Sequence, residues 1–224
     1  MTRLAPREAY RLWAPTYESG NPVTHLEQGL VAELGPSPAG LRLLDAGCGT
    51  GWRMADHRAI RAVGVDLSPD MLALGRANPA LRDVELLEAD LRALPLPDAA
   101  FDLVWCRLAI GYVAELDLAF AELSRVADAG AAVIVTDFHP DAAAVGHRRA
   151  FHHAGEDHEV VSHIHPAYRQ IAAARRAGLT LRAQAEGIIG PEVRHYYEQS
   201  GRAPHYLEHR GRPFVLALAF TRDE

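Results

Sequence analysis

The chain alternates short apolar runs with amphipathic stretches, and the period of that alternation predicts its elements. Apolar runs at 41–46, 61–66, 83–88, 101–105 and 131–137 are short enough to read as strands. Between the last two, Leu116, Phe120, Leu123, Val126 and Ala127 recur at helical spacing and predict an amphipathic helix. Residues 6–17 and 22–34 read as two further helices split by Gly20-Asn21-Pro22, with Asn21 as an N-cap and Pro22 at the first helical position. A helix at 167–177, stopped by Gly178, precedes two closing strands at 179–186 and 213–221. Strands alternating with helices predict an α/β fold with a mostly parallel sheet covered on both faces, and a ligand site at the carboxyl ends of its strands.

Two stretches break this rhythm. Residues 139–166 are rich in histidine and charge and read as an insertion after the fifth strand that folds over the pocket. The 26 residues from 187 to 212 are too long for a hairpin, and Tyr196, Tyr197, His205 and Tyr206 make them a second lid element. With residues 1–36 as an N-terminal helical cap, the 224 residues form one domain.

Chemistry concentrates in Leu43-Leu44-Asp45-Ala46-Gly47-Cys48-Gly49-Thr50-Gly51, an apolar strand, an acid at its end, and glycines at every second position. Glycine lets a strand turn sharply and brings bare backbone up to a ligand. Such loops also hold dinucleotides, or merely pack closely, so the context decides. The dinucleotide fingerprint Gly-x-Gly-x-x-Gly is absent. Asp66 ends the second strand, where a carboxylate can take both hydroxyls of a ribose, and Asp90 follows the third. Three acidic strand ends point to one nucleoside site.

On these residues the chain resembles the class I S-adenosylmethionine-dependent methyltransferases, particularly the branch acting on small molecules. Residues 43–51 are similar to that family's first motif, Gly64-Val65-Asp66-Leu67-Ser68-Pro69 to its ribose segment, and residues 89–104 to its adenine segment and fourth strand. The resemblance implies a seven-stranded sheet of order 3-2-1-4-5-7-6 with strand 7 antiparallel. It implies S-adenosylmethionine as cofactor, with Asp45 and the amides around Gly47 and Gly49 at the methionine moiety. Asp66 would take the ribose, Asp90 and the Leu91 amide the adenine, while Leu67 and Met71 pack on the adenine faces. Cys48 and Cys106, both at strand ends and expected as reduced thiols, complete the cofactor-binding set. Tyr10-Arg11-Leu12-Trp13-Ala14-Pro15-Thr16-Tyr17 is similar to a segment that folds over cofactor and substrate, where Tyr17 would touch the cofactor.

Two departures from the family pattern carry expectations. Asp128-Ala129-Gly130 stands where Pro-Gly-Gly is common, and Gly130 is expected to end the preceding helix in a left-handed cap. Only 12 residues separate Gly51 from Gly64, so the intervening helix should be about one turn short.

Composition narrows the partners. All 23 basic residues are arginine, the net charge is −6, and no arginine run exceeds a pair, which argues against nucleic acid. Residues 1–10 lack the apolar core of a secretory signal, and no apolar stretch reaches membrane-spanning length, so a soluble, cytoplasmic protein without a membrane partner is expected. A homodimer is compatible with the sequence.

A sulfonium methyl is already electrophilic, so the protein mainly aligns a nucleophile and excludes water. His139, directly after the fifth strand, and Tyr112, after the fourth, are the candidate catalytic residues for removing an acceptor proton. His147, His152, His153, His158, His163 and His165 could ligate a metal, but with Glu156, Asp157 and Glu159 as the local carboxylates they read better as a polar lid, and no metal is expected. The sequence predicts methyl transfer from S-adenosylmethionine to an O, N or acidic C atom of a small-molecule acceptor. The competing readings are a non-catalytic S-adenosylmethionine-binding regulatory or scaffold protein and a dinucleotide-dependent oxidoreductase.

Overall fold

The structure, a computed structural model, describes residues 1–17, 20–55 and 57–223. In chain order its elements are β1 (Thr2–Leu4), α1 (Pro6–Trp13), α2 (Pro22–Leu34), β2 (Arg42–Ala46), β3 (Arg61–Asp66), α3 (Pro69–Arg76), β4 (Val84–Glu88), β5 (Phe101–Arg107) and α4 (Leu116–Val126). There follow β6 (Ala127–Phe138), α5 (Pro140–Ala144), β7 (Ala150–His153), β8 (Glu156–Val160), α6 (Ala167–Arg176), β9 (Leu179–Ile188), α7 (Arg194–Gln199), α8 (Ala203–His209) and β10 (Pro213–Arg222).

The main sheet runs β4-β3-β2-β5-β6-β10-β9. Counted over its own seven strands this is the expected order 3-2-1-4-5-7-6. The five strands from the β4 edge to β6 are parallel, and β10 is antiparallel to both of its neighbours. Successive residues face opposite sides of a strand, so a sheet covered on both faces needs apolar residues in pairs. Leu44, Val104, Cys106 and Val133 join the core beneath α4 and α6 with Phe120, Leu123 and Ala173. Their neighbours Leu43, Leu103, Trp105 and Ile134 join the opposite core with Val31 of α2 and Leu72 of α3. Burying a side chain such as Leu43 completely is worth about 1.5–3 kcal/mol, and each central strand contributes to both layers.

The α2 start follows its sequence signal. The Asn21 side chain accepts from the Thr24 amide while the Thr24 hydroxyl accepts from the Asn21 amide, each at 3.0 Å, a reciprocal capping box.

Three local expectations change. The helix after the glycine loop is not a turn short but reduced to a single 3-10 turn, Trp52–Met54. The buried Met54 side chain fills the space beneath it, with its methyl 2.6 Å from where a Cβ on Gly64 would lie. Gly130 does not cap α4, which ends at Val126 and passes directly into extended Ala127. The β5/β6 register jumps from Phe101↔Ala127 to Leu103↔Ala132, so Asp128, Ala129 and Gly130 bulge outward, with Gly130 at φ 75°. The bulge puts Asp128 2.7 Å from Arg42.

The third change concerns the N-terminus. Residues read as a purely helical cap begin with β1, which pairs in parallel with β8, and β8 pairs with β7 in a hairpin turned by Ala154 and Gly155 at φ 51° and 84°. The chain start and the 139–166 insertion therefore share one three-stranded sheet. Three residues are too few to show a period, and their partners lie more than 150 positions away. Among the described residues, no helix is long and apolar enough to cross a membrane.

Candidate active site

The carboxyl ends of β2, β3 and β5 open into one cavity of about 1140 Å³, roofed by α1, the β7–β8 hairpin and the α7–α8 connection. Ligand pockets commonly span about 300–1,000 Å³, so the volume accommodates two small molecules together.

One half is built on the glycine loop. Gly47, Gly49 and Gly51 have φ of 84°, 60° and 76°, which lets the chain reverse three times within five residues. A Cβ on Gly47 would come within 2.3 Å of Ala109 Cβ, so the loop seats flush against the end of β5. The Gly47 and Cys48 amides donate to the Val65 carbonyl, and the Gly49 amide to Asp66 Oδ2 at 2.7 Å. These amides thus shape the loop rather than waiting on a ligand. Asp66 Oδ1 accepts from Ser68 at 2.9 Å. Burial raises the Asp66 pKa, opposed by the amides of Ser68, Gly49 and Leu67. Leu67 is exposed into the opening, while Met71 and Leu91 line its apolar side.

Asp90 lies at the cleft rim, where Arg92 donates to it from Nε at 2.9 Å and Nη2 at 2.6 Å. Arg92 holds its carboxyl below the usual range. Tyr17 also lines the cleft, its ring edge-on to Trp13 and its hydroxyl pKa raised by burial. Tyr112 lines it too, 2.5 Å from the Tyr10 hydroxyl.

Three anticipated residues are not among those lining the cleft. Asp45 is completely buried, and neither carboxyl oxygen has a hydrogen-bond partner among the described residues. Burial pushes its pKa up to about 6, against the pull of Arg53 and Arg107. Cys106 is locked in the core facing α4, where burial raises the thiol pKa. His139 is the N-cap of α5: Nδ1 accepts from the Asp141 amide at 3.1 Å and Nε2 sits 3.5 Å from Glu186 on β9, so the ring is spent at the sheet edge.

The lid histidines disperse. His152 pairs with Asp157, His165 bonds the Val113 carbonyl at 2.8 Å, and His163 stacks on His165. Among the described residues, no group of three His, Cys, Asp or Glu side chains could hold a metal ion.

A buried ionic cluster beneath the cofactor half is what sequence reading missed. Glu27 of α2 accepts from Arg107 Nε and Nη2 at 2.7 and 2.8 Å and from the Thr136 hydroxyl at 3.1 Å, with Arg53 Nε 3.5 Å away. Burial alone would raise the Glu27 pKa, but Arg53 and Arg107 hold it below the usual value. The signal was present: Val23, Glu27, Leu30, Val31 and Leu34 lie on one helical stripe, and a carboxylate amid that stripe demands a buried cation.

The donor set fits an amino-acid-bearing nucleoside. Trp52 Nε1 has no hydrogen-bond partner among the described residues and Arg53 Nε only the 3.5 Å ion pair with Glu27, and both side chains line the cleft beside the glycine loop. They would meet a carboxylate, the orphaned Asp45 supplies the opposite charge behind them, and Asp66 with the apolar Leu67, Met71 and Leu91 suits a ribose and a flat base. This donor set, at the carboxyl ends of a 3-2-1-4-5-7-6 sheet, fits the cofactor of the class I S-adenosylmethionine-dependent methyltransferases.

The comparisons agree. Residues 44–135 match the family described as "Methyltransferase domain". The chain is 40% identical over 103 residues to the malonyl-[acyl-carrier protein] O-methyltransferase of Serratia marcescens, covering 45% of this chain and 40% of that protein. It is 32% identical over 171 residues to the protein of the same name from Dechloromonas aromatica, covering 70% and 63%. It therefore spans less than two thirds of either curated relative. A solved S-adenosylmethionine-dependent methyltransferase from Mesorhizobium loti superposes with a TM-score of 0.69 at 25% identity, covering 88% of this chain and 98% of that one. In domain match, sequence and fold the chain is thus similar to the S-adenosylmethionine-dependent methyltransferases.

Proposed function

We propose that the chain transfers the S-adenosylmethionine methyl group to a nucleophilic atom of a small molecule held in the same cavity. The observation that carries this reading is the single cavity itself. Its volume exceeds what one ligand needs, and the glycine-loop half opens without a partition into a half walled by Tyr10, Tyr112, Phe138 and Phe214. Bound cofactor would supply an electrophilic methyl. The protein's own part is to seat the nucleoside on Asp66, Leu67, Met71, Asp90 and Leu91, to orient the acceptor, and to exclude water beneath the two lid elements.

Tyr112 is the proposed proton-handling group. Its hydroxyl borders the cavity, and burial raises its pKa, so at neutral pH it donates or relays a hydrogen bond rather than standing ionised. The curated relatives act on malonyl groups borne by a carrier protein; here the acceptor is proposed only as a small molecule or small acyl group. The test is release of S-adenosylhomocysteine from the full chain supplied with S-adenosylmethionine and panels of carboxylic acids, phenols and amines. Acceptor-dependent release supports the reading. Cofactor binding without release across all three panels would leave a binding protein in its place.

A further inference from the structure

The acceptor half of the cavity carries a charge pattern its fold does not require. From Tyr112 to Tyr197 its wall is a continuous file of rings and one guanidinium. Arg149 lies over Tyr112 at 4.3 Å and over Phe138 at 4.5 Å, and Phe138 meets His147 at 4.9 Å. His147 meets Phe214 at 5.2 Å, Phe214 meets His209 at 4.6 Å, and His209 accepts or donates a 3.1 Å bond with Tyr197. Such a wall suits an apolar or aromatic body.

Three cations border it from two segments. Arg149, at the start of the hairpin, is more than nine-tenths buried; its Nη2 pairs with Asp137, while its Nη1 has no hydrogen-bond partner among the described residues. Among the described residues, Arg148 beside it donates only to the backbone carbonyls of Ala143 and His147. Arg202, between α7 and α8, lines the same cavity and makes no ion pair among the described residues. The acids lining the cavity are largely spent: Asp90 and Glu115 on Arg92, Asp157 on His152, and Asp66 on backbone amides. Glu208, beside His209, is the lining acid that makes no ion pair among the described residues. The positive field is felt inside, since burial and then the charges of His209, Arg149, Arg148 and Arg202 hold His147 down to about 4.

In a chain of net charge −6, three arginines gathered around an aromatic wall, one of them paired with Asp137 and with Glu208 as the other nearby carboxylate, form a site short of an anion. We propose that the acceptor is an oxyanion, carboxylate or phosphate, on an apolar or aromatic body, its charge seated between Arg148, Arg149 and Arg202 and its body against Phe138 and Phe214. This rests on the methyltransferase reading for the word acceptor; the binding of the anion itself stands apart from it.

The experiment titrates the full chain with 2-naphthoate, 2-naphthyl phosphate and the neutral 2-naphthalenemethanol, with and without saturating S-adenosylhomocysteine. At least one anion is expected to bind about tenfold or more tightly than the alcohol, as charge-assisted pairs with arginine predict, and to weaken with added salt. Whichever of carboxylate and phosphate leads identifies the headgroup. Arg148→Gln with Arg202→Gln, both on exposed side chains, should erase most of that preference while leaving alcohol and S-adenosylhomocysteine affinities within about twofold of the parent. Equal binding of all three probes, no binding of any, or a preference untouched by the double substitution would overturn the proposal. Failure of S-adenosylhomocysteine alone would count against the methyltransferase reading instead, with the anion comparison still decided in its absence.

Discussion

The Gly49 amide donates to the carboxylate of Asp66 at 2.7 Å, so a single side chain at the end of β3 fixes the loop that ends β2. Its other oxygen holds the Ser68 amide at the entrance to α3. The glycine loop, the Asp66 carboxylate and the first turn of α3 are therefore one mechanical unit. Loosening Asp66 would deform the cradle as well as alter the side chain proposed to take the ribose.

Asp66→Asn tests this unit. The amide nitrogen cannot accept from Gly49 or Ser68, which strands a buried donor at a cost of about 1–3 kcal/mol. Calorimetric titration should show S-adenosylhomocysteine binding weakened by about tenfold or more. Unchanged affinity would separate the carboxylate from the cofactor site.

Glu27 should matter far more to stability than any surface acid. Glu27→Gln leaves Arg107 and Arg53 without their shared carboxylate in the core, and breaking a buried ion pair typically removes about 3–5 kcal/mol. Asp117→Asn breaks a pair whose side chains are 61% and 65% exposed, and should change stability by about 1 kcal/mol or less. Urea denaturation of the two variants checks the contrast; equal losses would contradict it.

Asp45 gives a pH prediction with a definite sign. Its carboxyl keeps its proton to about pH 6 in the folded chain but releases it near pH 4 when unfolded, so the folded state binds more protons within that window. Stability attributable to Asp45 is thus present below about pH 4, falls as pH rises to 6, and stays low above it, a change of at most about 3 kcal/mol. Relative to its own value at pH 4, Asp45→Asn should become progressively more stable than the parent by pH 7. Denaturant midpoints for both chains at pH 4.5, 5.5 and 7 measure this, and a difference that is flat or of opposite slope refutes it.

Tyr112→Phe probes the chemistry. With any acceptor found to support turnover, kcat should fall by roughly tenfold or more if the hydroxyl handles the acceptor proton. Tyr10→Phe removes the hydroxyl's partner and should have the smaller effect. S-adenosylhomocysteine affinity serves as the control, since neither hydroxyl is assigned to the nucleoside. A Tyr10 effect as large as that of Tyr112 would reassign both residues to packing.

What the sequence made legible was whatever is written locally. The strands around Asp45, Asp66 and Asp90 carry their own period, and the Asn21 cap needs only Pro22 and Thr24 beside it. The less legible features depend on distant partners. β1 exists because β8 is present to pair with it, and His139 meets Glu186 because the sheet order places β9 one strand beyond β6, across β10. Arg149 was visible only as half of a charged pair, since its burial depends on Asp137, Tyr112 and Phe138 converging from other elements. Glu27 stands between these cases: its place on an apolar stripe was readable, but not its partner at the end of β5.

The central claim is that the glycine loop, Asp66 and Asp90 cradle a methionine-bearing nucleoside. Calorimetric titration of the full chain with S-adenosylhomocysteine and, separately, with NAD tests it most directly. One saturable S-adenosylhomocysteine site per chain, with no measurable NAD binding, is the predicted result. NAD binding in its place, or no binding of S-adenosylhomocysteine at all, would contradict the account.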